Sequence, residues 1–128
     1  MRVILDTHAF LWFVLNDPKL SATGKLLIED PLTEVLISPA SFWEVAIKVS
    51  QKKLDLFAPY ADFMHRGIVG NDFEVLHIEP RHCERLITLP FHHKDPFDRL
   101  LAAQSLVEGL PLVSIDTKFD AYGVRRIW

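Results

Sequence analysis

Short, continuous apolar runs punctuate the chain: VIL at 3–5, VLI at 35–37 and LVSI at 112–115. Runs of this length without polar alternation fit strands covered on both faces. The stretches between them carry helix punctuation. Arg2–Leu5 reads as a strand, and Thr7 to about Asn16 as a helix closed by Asp17-Pro18. Ser21 is placed to cap a helix over 22–29. EVLIS (34–38) is a second strand, and Pro39 opens a helix to about Lys53, because a first-turn proline loses no hydrogen bond. A shorter helix is expected over 59–68, a third strand over 73–78 (FEVLHI) and a helix from Pro80 to Thr88. Asp95-Pro96 opens a helix to Glu108 that Gly109 stops. PLVSI (111–115) is a fourth strand and VRRIW a short last one. Strand and helix alternate throughout, which predicts an α/β fold with a mostly parallel central sheet and helices on both faces.

No repeat, low-complexity tract or linker interrupts the 128 residues, so one domain over 1–128 is expected. Cys83 is the single cysteine, which excludes an intrachain disulfide and fits a reducing, cytoplasmic setting. MRVILD lacks a signal-peptide layout, and the apolar run Ala9–Leu15 is too short to span a bilayer, so no membrane is expected. The formal net charge of −3 argues against a nucleic-acid binder that works by bulk charge. That argument reverses if the acids are concentrated: two divalent cations held by four clustered carboxylates would move the sum from −3 to +1.

The fold reading gives particular acids a place. Asp6 directly follows the first strand and Asp116 the fourth. In open α/β sheets the functional crevice lies beyond the carboxyl ends of the strands, where strand order reverses. The two aspartates converge there if their strands are neighbours; alternatively each simply caps the next helix. Glu44 shares a narrow polar helix stripe with Ser41 and Lys48, amid Phe42, Trp43, Val45 and Ile47. Either that stripe is solvated and carries a Glu44–Lys48 pair, or it faces the crevice. In HHKDPFDRLLAAQ (92–104), Asp95 is placed as a helix cap, while Asp98 is three residues on and on the same side of the helix start. Carboxylates held so close repel unless protonated or bridged by a cation. His92 and His93 are candidate metal ligands, but adjacent histidines point different ways on an extended chain, so they read rather as surface or substrate-contacting groups.

Asp and Glu without Cys, and with no required His, are hard oxygen donors that suit Mg2+ or Mn2+ rather than structural zinc. One or two such ions can activate a water and stabilise a leaving oxygen in phosphodiester cleavage. Neither a Gly-rich phosphate loop nor a G-x-S-x-G elbow is present.

Four motifs, LDTHAFLW (5–12), SFWEVAIK (41–48), HKDPFDRLLAAQ (93–104) and SIDTKFDAYGV (114–124), resemble in order and separation those of the PIN domain, and specifically the VapC-type toxins of toxin–antitoxin pairs. The resemblance covers nearly the whole chain. It implies a three-layer α/β/α sandwich with an acidic pocket for Mg2+ or Mn2+, in which Asp6, Glu44, Asp98 and Asp116 are the matching catalytic and metal-holding acids. Asp95, from the DPFDR form of the motif, is a further candidate ligand. Thr7 is expected to hydrogen-bond within the pocket or contact substrate. Ser114 stands where Thr is more usual and keeps the hydroxyl. The implied activity is metal-dependent endoribonucleolytic cleavage of RNA, with an antitoxin protein as partner and a homodimer as assembly. Lys94, Arg99 and Lys118 lie beside the acids and are candidates for phosphate contact, or else ordinary solvated surface.

Two other classes remain in view: a non-catalytic PIN-like binding or assembly module, and a phosphoacceptor receiver-like domain. The receiver, like a haloacid-dehalogenase-type phosphatase, calls for an acidic pair after the first strand. Thr7 and His8 follow Asp6 instead.

Overall fold

The computed structural model describes residues 1–128. Five strands, β1 (Arg2–Leu5), β2 (Glu34–Ile37), β3 (Glu74–Val75), β4 (Leu112–Val113) and β5 (Arg126–Ile127), form one sheet in the order β3-β2-β1-β4-β5. Every pairing is parallel. Six helices, α1 (Thr7–Val14), α2 (Ala22–Glu29), α3 (Pro39–Ser50), α4 (Tyr60–Ile68), α5 (Pro80–Ile87) and α6 (Pro96–Glu108), and a 3-10 helix (Thr117–Tyr122) complete the chain. No helix is long and apolar enough to cross a membrane.

The continuous apolar runs are explained by cover on both faces. Val3, Ile4 and Leu5 are each 0% exposed. Val3 and Leu5 join Val35, Ile37 and Val113 in a core completed by Phe10, Ile28, Val45 and Phe63. Ile4, Leu36 and Leu112 point the other way, into a core built with Leu101, Ala102, Phe119 and Tyr122. Each such side chain gains roughly 1.5–3 kcal/mol by leaving water, so the sheet interior dominates the stability.

The outer strands are shorter than the sequence predicts. FEVLHI shrinks to Glu74–Val75 because β3 is an edge strand paired only with β2, and Glu74 is already exposed. Leu76 donates one more bond, to the Ile37 carbonyl at 2.9 Å, before the ladder ends. The first helix stops at Val14, and Asn16 turns the chain at φ 52°. α3 stops at Ser50, with Lys52 at φ 56°. The 3-10 helix was not anticipated; Asp116 starts it and left-handed Gly123 ends it.

From β1 the chain steps to β2 and β3 on one side, then to β4 and β5 on the other. Strand order therefore reverses between β1 and β4, and the crevice belongs at their carboxyl ends.

Candidate active site

Asp6 and Asp116 stand at those two ends. The capping reading and the crevice reading both hold, because a carboxylate has two oxygens. Asp6 Oδ1 accepts from the Ala9 N–H at 2.8 Å and starts α1. Asp116 Oδ1 accepts from the Lys118 N–H at 2.9 Å and starts the 3-10 helix. In each case the second oxygen is not used by the cap.

α3 delivers Glu44 to the same place. Ser38 caps this helix through the Ala40 N–H, with Pro39 in its first turn. The stripe Ser41–Glu44–Lys48 faces inward: Ser41 and Glu44 are buried. Lys48 Nζ lies 3.9 Å from Glu44 Oε2, while Glu44 Oε1 is buried with no hydrogen-bond partner. An orphaned carboxylate oxygen in the interior is costly, and it is the mark of a position suited to a cation.

α6 brings Asp98. Asp95 caps this helix, its Oδ1 accepting from the Phe97 and Asp98 N–H groups at 2.8 and 3.2 Å. Asp98 is pushed up to about 8, first by burial and then by the charges of Asp95, Asp6, Glu44 and Asp116. Asp6 is likewise raised, mainly by burial and further by Glu44, against the opposing Ser114 hydroxyl, Ala9 N–H and His8. Asp116 goes the other way. Burial acts to raise it, but the Lys118 N–H, the His93 hydrogen bond and the charges of His93 and Lys118 together hold it below the ordinary range. The two neighbours differ because Asp116 has a lysine and a histidine beside it and Asp98 is surrounded by carboxylates.

His93 is the residue that sequence reasoning misplaced. It is neither a surface group nor free to meet substrate: its side chain is only 11% exposed. Its Nδ1 accepts from the Asp95 N–H at 3.1 Å, so Nε2 carries the proton. That Nε2–H is donated to Asp116 Oδ2 at 2.9 Å, with Asp98 Oδ2 equally close. His93 therefore orients two acids rather than offering a lone pair. No local signal marks it, because Asp116 lies 23 residues away.

The four candidate substrate contacts divide into two buried and two exposed side chains. Arg99 does not face the crevice. Its guanidinium is buried and donates to the carbonyls of Pro90, Leu86 and Leu89 and to the Tyr122 hydroxyl, with Phe91 stacked at 4.2 Å. Those carbonyls, shed by the end of α5 and the following turn, need a donor, and a buried arginine supplies several at once. Thr7 is buried too, and its hydroxyl donates to Ser41 Oγ at 2.9 Å, tying α1 to α3 behind the acids. Lys94 and Lys118 are exposed beside Asp95 and Asp116, as a phosphate contact requires.

The donor set of Asp6, Glu44, Asp98 and Asp116 is all oxygen, over-charged for its burial and short of internal partners. It fits a divalent cation, which would reverse the penalty on Asp6 and Asp98.

The PIN domain family model matches residues 3–124. The chain belongs to the PIN domain family. The α/β sandwich with a parallel sheet is the fold this membership implies, and solved structures agree. VapBC2 from Rickettsia felis, bound to a DNA fragment from its promoter, is 15% identical and superposes with TM-score 0.70, over 99% of this chain and 98% of that one. A toxin–antitoxin complex from Klebsiella pneumoniae is 18% identical with TM-score 0.66, over 98% and 96%. VapC20 from Mycobacterium tuberculosis, described as a sarcin-ricin loop cleaving toxin, is 18% identical with TM-score 0.66, over 95% of each chain. At these identities the likeness is one of PIN fold. No curated protein sequence matches the chain significantly. The PIN sheet order found here also differs from the 2-1-3-4-5 order of receiver-like domains.

Proposed function

We propose that this PIN domain is a Mg2+- or Mn2+-dependent endoribonuclease, the toxin of a toxin–antitoxin pair. The observation that carries the reading is the state of Asp98. Four other carboxylates crowd it at the strand-order switch, and with burial they push it up to about 8. A stable fold does not need such a concentration of like charge; a cation site does.

Asp6, Glu44, Asp98 and Asp116 are the residues that would hold the cation, with Asp95, whose cap uses only Oδ1, a further candidate. A bound divalent ion supplies an activated water and charge neutralisation at the scissile phosphodiester. His93 keeps the Asp116 carboxylate aimed, and Thr7–Ser41 fixes α1 against α3, so the acids enter the reaction already oriented. Lys94 and Lys118 contact the phosphates on either side. The likeness to the Klebsiella pneumoniae toxin–antitoxin complex and to VapC20, a sarcin-ricin loop cleaving toxin, supports an antitoxin partner and an RNA substrate for this chain. A homodimer is part of the same reading.

The test is purified wild type and Asp98→Asn incubated with mixed cellular RNA in Mg2+, Mn2+ or EDTA. Cleavage by wild type alone, and only with metal, is the expected result. Equal cleavage by both proteins would sink the ligand assignment. Metal binding by the wild type with no cleavage of any RNA would favour a non-catalytic binding module.

A further inference from the structure

Beside the acidic crevice lies a second cavity of about 240 Å3, walled chiefly by His8, Trp12, Lys19, Lys48 and Lys53. Its one acid, Asp17, already accepts from the Lys19 N–H at 2.9 Å. The His8 and Trp12 rings lie 5.4 Å apart, tilted at 43°, and Lys19 Nζ sits 6.0 Å over the Trp12 ring. Lys48 joins the two sites: its Nζ is 3.0 Å from His8 Nε2 and 3.9 Å from Glu44 Oε2. His8, Lys19 and Lys53 are exposed and hold no ion pair. Trp12 packs one side against the core and Lys48 pairs with Glu44, while Lys19 and Lys53 serve neither the acids nor the core.

Three ammonium groups around planar rings combine the two features that single-stranded nucleic acid presents, a charged backbone and a flat base. An acidic peptide would answer the lysines but not the paired rings. Contact with Glu44 through Lys48 also places the cavity where a chain crossing the crevice must continue. We propose that this cavity is a subsite for the nucleotide adjoining the scissile phosphodiester of a single-stranded RNA. Lys19, Lys48 and Lys53 take its phosphate, and the His8–Trp12 rings take its base. The proposal rests on the ribonuclease reading and adds where the substrate strand runs.

Fluorescence anisotropy with a short labelled single-stranded RNA, in EDTA to prevent cleavage, tests it. Lys19→Glu and Lys53→Glu are each expected to weaken binding about tenfold and to flatten the salt dependence by about 0.7 per lost phosphate contact. His8→Ala is expected to weaken binding roughly tenfold with the salt dependence unchanged, as loss of stacking does. Arg125→Glu makes the same charge change at the amino end of β5, away from the crevice, and should alter binding less than about twofold. Thermal unfolding of each variant confirms that it is folded. If the lysine variants match Arg125→Glu while wild type still cleaves RNA with metal, the subsite is wrong and the ribonuclease reading survives. If wild type neither binds nor cleaves RNA, both fall together.

Discussion

Two clusters in this molecule look alike locally and differ in outcome. One is His93–Asp98–Asp116 at the strand ends; the other is Glu79–His82–Glu108 between α5 and α6. In each, a histidine accepts a backbone N–H at Nδ1 and offers Nε2–H to a carboxylate: His93 to Asp116 at 2.9 Å, His82 to Glu108 at 2.8 Å. In both, the imidazole is locked as a donor. The difference is countercharge. Arg81 reaches both Glu79 and Glu108, so a guanidinium offsets one of the two carboxylates and the second cluster is self-contained. The first gathers Asp95, Asp6 and Glu44 as well, with Lys48 touching only its margin. Matching geometry therefore does not distinguish the two clusters; charge balance does.

The comparison breaks most sharply at the acids. Asp98→Asn should lower metal-dependent RNA cleavage about 1,000-fold, whereas Glu108→Gln should leave it within about twofold. Initial rates on one RNA substrate decide this, and equal losses would mean the clusters were wrongly distinguished. At the histidines the contrast is next in size. His93→Ala should cost about 10–100-fold in rate, as loss of an orienting partner does. His82→Ala should leave the rate alone and lower stability by about 2–3 kcal/mol, since a fully buried ring is lost. Denaturant unfolding beside the rate assay separates the two effects.

Arg99 sharpens the boundary of the site. Arg99→Gln should destabilise by about 1.5–3 kcal/mol, through lost charge-assisted bonds to buried carbonyls. Its KM for RNA should stay unchanged; a raised KM with normal stability would return Arg99 to the substrate.

The smallest effect concerns pH. Folded Asp98 holds its proton up to about 8, whereas in the unfolded chain it releases it near 3.8. Between those values the native state binds more protons, so metal-free stability should fall as pH rises through that window. Melting temperatures of the metal-free protein should show this decline, and Asp98→Asn should flatten it. Mg2+ should restore more stability at the alkaline end than at the acid end.

Much of this was legible in the chain. VIL and VLI announce doubly covered strands because their apolar character is continuous, LVSI does so only at Leu112 and Val113 since Ile115 is exposed, and Pro39, Pro96 and Gly109 mark helix ends by local backbone chemistry. Asp6 and Asp116 could be placed at strand ends, but their meeting depended on β1 and β4 being neighbours, a long-range fact. The place of Arg99 beside Asp98 leaves phosphate contact and solvated surface as its two readings from sequence. Its true partners are carbonyls that become orphaned only when α5 ends nearby. His93 escaped for the same reason: both acids it serves are brought to it by folding.

The double duty of Asp6 and Asp116 has a genetic consequence. Each uses one oxygen to start the next helix and leaves the other for the crevice. Asparagine can make the same cap, and an aspartate codon becomes an asparagine codon by a single base transition. One such step would silence the crevice while leaving the backbone as it was. Inactive alleles of this chain should therefore arise readily, fold normally and keep every surface by which the active form is recognised.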